Sequence, residues 1–448
     1  MSSHHLTAER VIECRWLLPM SDNLPLREHH ALAIRQGRIL DSGPIDEMRR
    51  RHSPQQRLEL THHAVMPGLI NAHNHAGMAL MRGYADDLPL MQWLNEHIWP
   101  AEAAHMNTAA IVDGTRLAIA EMLRSGTTTF ADMYFAPEEV ADLLDESGMR
   151  AQLCTPLMDF ETPWARDFRH GIEKSVALAE RLRGHDRLRV ALGPHAPYTV
   201  GDDSLEQLVE ARDRLGVPIQ MHIHETHDEV TQSLQQYGAR PLERLRRAGV
   251  VTADLQAVHL TQLNDEEIDL LATSGASAIH SPQSNLKLAS GFCPVARLLE
   301  AGVRVALGTD GACSNNDLDM FDEMRSAALL AKGVSGNAAA LPAMATLAMA
   351  TREGAAALGM ADVTGRLEPA MAADIMAVDL DSLEAQPLHD PASALVYAVN
   401  SRQVSHLWVA GELLLDEGRL TREDETELMA LAKKRGRELA QGREGEKQ

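Results

Sequence analysis

Cysteine is scarce. Four residues, Cys14, Cys154, Cys293 and Cys313, are scattered through 448 positions. They form no C-x-x-C pair and no disulfide framework, which points to a reducing cytoplasm. No continuous apolar run is long enough to span a bilayer, so no membrane segment is expected. Residues 1–19 carry only an interrupted apolar run and lack the layout of a secretory signal. Basic residues are also in deficit: 42 Lys and Arg stand against 64 Asp and Glu, a formal net charge of −22. That argues against a nucleic-acid partner, which needs a basic stripe. An acidic surface serves solubility before it serves attraction of cationic substrates. Short-period repeats and low-complexity tracts are lacking too.

What is present is an apolar fraction of 45%, enough for a sizeable core, in a chain too long for one small domain. The opening reads as β structure: strands at 10–18 and 31–40, a hairpin turn at 35–38, and further β character at 58–65. From residue 65 an alternation begins. Strand-like runs occur at 65–70, 127–133, 151–156, 188–192, 218–222, 256–259, 276–280 and 303–307. Helical patterns lie between them, as at 109–125, 138–147, 172–183, 204–215 and 241–248, often ending at glycine. Eight strands alternating with helices predict an α/β fold, a (β/α)8 TIM barrel. After residue 371 the chain returns to β character, at 373–379 and 406–415 with a turn at 411–412. Both termini are therefore expected to pair into one small β domain beside the barrel, giving domains 1–66 and 372–448 around a barrel of 67–371. The tail, 421–448, reads as a charged, solvated surface helix that frays at its end.

The chemistry should sit at the C-terminal strand ends of such a barrel. The first strand leads through VMPGLINAHNHAG into His73 and His75, which two-residue spacing projects to one side. Later ends carry His195 (GPHAPY), His222 followed by Glu225 (MHIHET), His259 (AVHL) and Asp310 (LGTDGA). A lone histidine at any of these places is more simply a structural residue. Five strand ends bearing metal-type residues in chain order indicate a site.

The stretches PGLINAHNHAGMALMRG (67–83), WLNEHIWPAEA (93–103), GTTTFADMY (126–134), GPHAPYT (193–199), HIHET (222–226), HSPQSNLKLASG (280–291) and GTDGACSNNDLDMFDEMR (308–325) carry a resemblance. The chain resembles the amidohydrolase superfamily, in its branch of 5′-methylthioadenosine and S-adenosylhomocysteine deaminases, with related chlorohydrolases nearby. The resemblance implies a metal-bearing barrel beside a β-sandwich built from both termini. It implies His73, His75, His222 and Asp310 as ligands of one divalent metal, zinc; three nitrogens and one oxygen are a normal catalytic zinc set. No lysine ends a middle strand to bridge a second metal. Glu225 would shuttle protons at the purine edge; on its residues alone it could equally be a glutamate opening a helix. Asp310 would also act as base, and His259 would stabilise charge in the tetrahedral intermediate. Glu102 matches a ribose-binding glutamate, and His195 a substrate contact. Trp93 and Trp99 suit an apolar wall, or ordinary packing. Arginines that some relatives use on the substrate have no clear counterpart; Arg166 and Arg169 are near in sequence only. This leans the expected substrate toward methylthioadenosine or adenosine.

The expected activity is hydrolytic deamination of adenosine-type nucleosides, giving a hypoxanthine ring and ammonia. The same machinery would serve guanine, 8-oxoguanine or an s-triazine, including dechlorination, since specificity lives in pocket loops. A non-catalytic barrel is the third reading; such barrels lose ligands, and here every ligand position is filled. Homo-oligomerisation suits such barrels, but no stretch encodes it.

Overall fold

The computed structural model describes residues 8–21 and 25–445; residues 1–7, and the fraying expected at 446–448, lie outside the described residues. β1 (Arg10–Leu17), β2 (Arg27–Arg35) and β3 (Arg38–Pro44) pair antiparallel in succession. Gln36 and Gly37 both take positive φ, 50° and 72°, the two-residue turn that matches strand twist. A Cβ at Gly37 would lie 2.5 Å from the Ala410 carbonyl oxygen, so the close approach also requires glycine. A short helix, Ile45–Arg51, leads to β4 (Gln56–Pro67), which runs parallel to β1.

The barrel follows. β5 (Leu69–Asn74), β6 (Thr127–Asp132), β7 (Arg150–Leu157), β8 (Leu188–Pro194), β9 (Ile219–Ile223), β10 (Leu255–His259), β11 (Ser277–His280) and β12 (Arg304–Leu307) form one sheet of parallel strands in chain order. The ring closes between β12 and β5, where the Asp310 N–H donates to the His73 carbonyl at 3.1 Å. Gly308 permits this closure: a Cβ there would sit 2.7 Å from the His73 nitrogen. One apolar cluster inside the ring takes Ile70, Ala131, Cys154, Ala191, Val258, Ile279 and Ala306 from seven strands. The eighth, β9, presents Gln220 instead, which bonds Gln256 of β10.

The expected first strand, 65–70, is divided. Its first three residues belong to β4 of the terminal sheet, and β5 begins only at Leu69. The chain changes sheet across Gly68, whose N–H bonds the Asp374 carbonyl while the next N–H bonds Gly126. Local hydrophobicity is continuous there, but the hydrogen-bond partners switch.

The terminal segments do pair. β13 (Ile375–Asp379), β14 (Val404–Val409), β15 (Glu412–Asp416) and β16 (Arg419–Leu420) extend the first sheet to the order β16-β15-β14-β13-β4-β1-β2-β3. It curls on itself. The Ile39 N–H bonds Met371 and the Ala373 N–H bonds Gly37, both at 2.9 Å, enclosing Ile12, Leu32, Ile39, Val65, Ile375 and Trp408. A buried ion pair joins this unit to the barrel: Arg150 Nε donates to Asp374 Oδ2 at 2.8 Å, with the side chains 3% and 1% exposed.

The tail corrects one expectation. Glu425–Gly445 is helical but not simply solvated. Leu428 and Leu439 are buried, and Arg435 Nε donates to Asp113 Oδ2 at 2.8 Å on the helix Thr108–Arg124. Its charge pattern conceals a narrow apolar seam that needs this partner helix to be read.

Candidate active site

All eight residues singled out from the sequence meet at the C-terminal mouth of the barrel. Seven of them, His75, Glu102, His195, His222, Glu225, His259 and Asp310, line one cavity. His73 lies fully buried behind it.

A register irregularity in β5 between Asn71 and Asn74 shifts the strand's alternation. Ile70 and Ala72 thus pack in the barrel interior, and His73 and His75 then aim at the site. His222 Nε2 lies 3.1 Å from His73 Nε2 and 3.3 Å from His75 Nε2. Asp310 Oδ1 lies 3.4 Å from His73 Nε2 and 3.1 Å from His75 Nε2.

The other ring nitrogens explain why these atoms need a cation. His73 Nδ1 donates to Gln220 Oε1 at 2.8 Å, His75 Nδ1 to the Met133 carbonyl and His222 Nδ1 to the His195 carbonyl, both at 2.6 Å. Each acceptor is an oxygen without a proton, so each Nδ1 carries the hydrogen and each Nε2 presents a lone pair. Converging lone pairs repel unless a positive charge sits among them. The electrostatics show the same demand: despite burial, the Asp310 carboxylate raises the His75 imidazole to about 9, so a proton on its Nε2 supplies the positive charge wherever a metal ion does not. Burial alone would raise the Asp310 carboxyl, but His73 and His75 hold it well below the usual range. Bonds of about 2.0–2.2 Å to a tetrahedral ion place donors roughly 3.3–3.6 Å apart, close to the spacing found. The set fits one divalent zinc ion.

Asp310 is itself constrained. It has φ of 63°, and its Oδ2 accepts the hydroxyls of Ser284 at 2.6 Å and Ser314 at 2.9 Å. Left-handed backbone at a non-glycine is the kind of strain that accumulates at functional sites; His259, φ 74°, shares it. His259 Nδ1 donates to Asn285 Oδ1 at 2.9 Å, and its Nε2 lies 3.8 Å from Glu225 Oε2.

Burial, reinforced by the Asp310 charge, pushes the Glu225 carboxyl up to about 8. It is therefore a proton donor in neutral solution. Burial likewise raises Glu102 to about 7. Glu102 Oε1 accepts the Tyr134 hydroxyl at 2.7 Å, which leaves Oε2 for a ligand. Burial lowers His195 to about 3, so its ring is neutral. Trp93 and Trp99 line the cavity; Arg166 and Arg169 do not.

Sequence reasoning passed over Gln220, Tyr134 and Ser284, and it assigned no role to Asn285 and Ser314 in their motifs. Gln220 was findable, since it precedes His222 by two residues on the same strand face. The others lay inside motifs, but most of their partners lie far away in the chain: Glu102 for Tyr134, His259 for Asn285 and Asp310 for Ser284.

A parallel barrel that converges three imidazoles, a carboxylate and a buried acid at its strand ends is a metal-dependent hydrolase. The chain belongs to the amidohydrolase family, whose sequence profile matches residues 64–414. It is 47% identical over 426 residues to a 5-methylthioadenosine/S-adenosylhomocysteine deaminase of Teredinibacter turnerae, covering 95% of this chain and 96% of that one. Its structure is similar to that of an adenosine deaminase from Xanthomonas campestris with bound zinc: TM-score 0.96, 44% identity, 97% and 99% of the two chains covered. It also shares its fold with an atrazine chlorohydrolase of Arthrobacter aurescens, TM-score 0.90 at 23% identity over 95% and 100% of the chains.

Proposed function

We propose that the protein is a zinc-dependent hydrolytic deaminase of adenosine-type nucleosides, converting the adenine ring to hypoxanthine with release of ammonia. The observation that carries this reading is the buried Glu225 carboxyl facing the cavity beside His259 and the His73–His75–His222–Asp310 set. Zinc held by those four residues would supply the acidity that lets water attack near neutral pH.

The chain's own groups do the remainder. Glu225 protonates N1 of the purine, which draws electrons from C6 as water adds there. His259 Nε2 hydrogen-bonds the attacking water and so stabilises the charge that develops. Asp310 accepts a water proton and passes it to the departing ammonia, with Ser284 and Ser314 holding its second oxygen. Glu102 receives the vicinal ribose hydroxyls on a carboxylate already oriented by Tyr134, and neutral His195 contacts the substrate. A buried carboxylate has no task on a bare base or a triazine, which favours nucleosides over those rings. The apolar wall of Leu90, Trp93, Leu94, Ile98 and Phe135 suits a thioether or short 5′ arm. Among the described residues no Lys or Arg lines the cavity, so none of them pairs there with the carboxylate of a homocysteine tail. We therefore place 5′-methylthioadenosine and adenosine ahead of S-adenosylhomocysteine.

The four cysteines are buried and unpaired, which supports a cytoplasmic setting. Among the described residues no helix is long and apolar enough to cross a membrane. The pairing of β4 with β13 supports domains of 67–371 for the barrel and 1–66 with 372–448 for the terminal unit.

The deciding experiment is a spectrophotometric deamination assay on zinc-loaded protein with 5′-methylthioadenosine, S-adenosylhomocysteine, adenosine, adenine and guanine. Turnover of the nucleosides, lowered by about 10²–10⁴-fold in Glu225→Gln, is the expected result. No turnover of any adenine compound by protein with one zinc per chain would overturn the assignment.

A further inference from the structure

Strand alternation should turn His222 and His224 to the same side of β9. The structure does otherwise. His224 takes φ of 55°, and its ring leaves the site, where Nε2 accepts the Leu242 N–H at 3.1 Å. The left-handed turn brings the next side chain, Glu225, into the cavity instead. The backbone of this turn is held from two directions. Thr261 Oγ1 donates to the Glu225 carbonyl at 2.7 Å and to the His224 carbonyl at 3.2 Å. On the opposite side stands a second buried carboxyl group that the chemistry has not used.

Glu229 lies in the first turn of the helix His227–Tyr237 and is 5% exposed. A glutamate here would ordinarily bond the N-cap N–H, three residues back. Glu229 reaches further. Its Oε1 accepts the His224 N–H at 2.9 Å and its Oε2 accepts the Glu225 N–H at 2.8 Å. Two successive N–H groups converging on one carboxyl group form a backbone nest, and these bonds oppose the burial that pushes the Glu229 carboxyl up to about 8. Thr226 Oγ1 in turn accepts the Glu229 N–H at 3.3 Å. The residue four positions after the proton donor therefore grips the peptide units on either side of the turn that aims it.

We propose that Glu229 is a positioning residue for the reaction: by bridging the N–H groups of His224 and Glu225 it holds the left-handed turn that directs the Glu225 carboxyl at the substrate. The proposal rests on the reading of Glu225 as the proton donor. Glu229 touches no reacting atom, and its whole effect passes through Glu225. In Glu229→Gln the amide accepts one N–H but opposes the other with its own hydrogens, so the turn relaxes. A misplacement of about 1 Å at a reacting group costs roughly 100-fold in rate.

The test is a double-mutant cycle on zinc-loaded protein with 5′-methylthioadenosine and adenosine, comparing wild type, Glu229→Gln, Glu225→Gln and the double variant. Glu229→Gln should lower kcat by about 10–100-fold, with zinc content retained and KM changed by no more than about threefold. In the Glu225→Gln background the same substitution should change kcat by less than about threefold, because the group it aims is gone. Thr226→Ala removes the helix cap and leaves the nest, so it should lower Tm and keep kcat within about twofold. If Glu229→Gln folds poorly, Glu229→Asp keeps the carboxyl group but cannot span both N–H groups, and it enters the same cycle. Equal losses in both backgrounds, or full kcat in Glu229→Gln, would overturn the proposal. Wild-type protein inactive on every nucleoside would instead count against the function. For that case hydrogen exchange of residues 223–226 provides a readout without substrate. Exchange there should accelerate in Glu229→Gln while the rest of the helix is unchanged, and unaltered exchange would overturn the role of Glu229 whatever the substrate.

Discussion

Replacing Gln220 by Met should weaken zinc binding although Gln220 is not a ligand. Its Oε1 is the acceptor for His73 Nδ1 at 2.8 Å. Its Nε2 donates to the Ala72 carbonyl at 3.0 Å and to Gln256 Oε1 at 2.9 Å, so the amide cannot turn to present its nitrogen to His73 without losing both bonds. Methionine fills the volume but accepts no strong hydrogen bond. The His73 ring is fully buried, and its Nδ1–H would be left without a partner. An orphaned buried donor costs about 1–3 kcal/mol. The ring escapes that cost by moving its proton to Nε2, which destroys the ligand. Either way the metal-bound state loses about 1–3 kcal/mol, a factor of roughly 5–150 in zinc affinity, in line with the ~10–100-fold effect typical of such supporting residues. The assay is competition for zinc against a chromogenic chelator of known affinity. Gln152→Leu, one residue further along the same interior network, leaves Gln220 bonded to Gln256 and should stay within about threefold of wild type. Undiminished zinc affinity in Gln220→Met would refute the tautomer argument, and with it the physical reason given for a cation at this site.

Breaking the buried pair between barrel and terminal sheet in Asp374→Ala should cost about 3–5 kcal/mol, read from the urea midpoint, whereas Arg150→Met with Asp374→Leu should recover most of it; a cost below about 1 kcal/mol would show the pair to be solvated. Glu102→Ala should lower kcat/KM for adenosine by about 10²–10⁴-fold, as two charge-assisted bonds at ~1.5–3 kcal/mol each require, and should leave any turnover of free adenine unchanged; equal losses on both would remove Glu102 from the ribose site. Since Glu225 acts as an acid and is raised by burial to about 8, its donor form is lost as pH rises. The alkaline limb of kcat should therefore fall at or below about pH 8, the lower value reflecting the pull of the bound cation on the carboxyl. A kcat that keeps rising past pH 9 would exclude Glu225 as the donor.

The alternation of strand and helix was legible because it is written in periodicity and in turn residues, which are local. The eight strand segments read from 65 to 307 correspond to β5–β12, the first displaced at Gly68. The donor residues were legible for a related reason. Metal and acid chemistry restricts residue types, and a barrel restricts where along the chain they must fall. The helix Glu425–Gly445 was misread as solvated because its apolar seam is narrow and its partner lies some three hundred residues earlier.

By itself, the sequence determined the barrel, the pairing of its two ends, and the placement of His73, His75, His222 and Asp310 at strand ends. Tertiary structure alone decided which way those groups point. The irregularity in β5, the left-handed turns at His224, His259 and Asp310, and the oxygens that fix each imidazole tautomer all come from neighbouring strands. A side chain's direction at a strand end depends on the sign of φ and on hydrogen-bond partners far away in the chain, and neither is encoded in the local pattern.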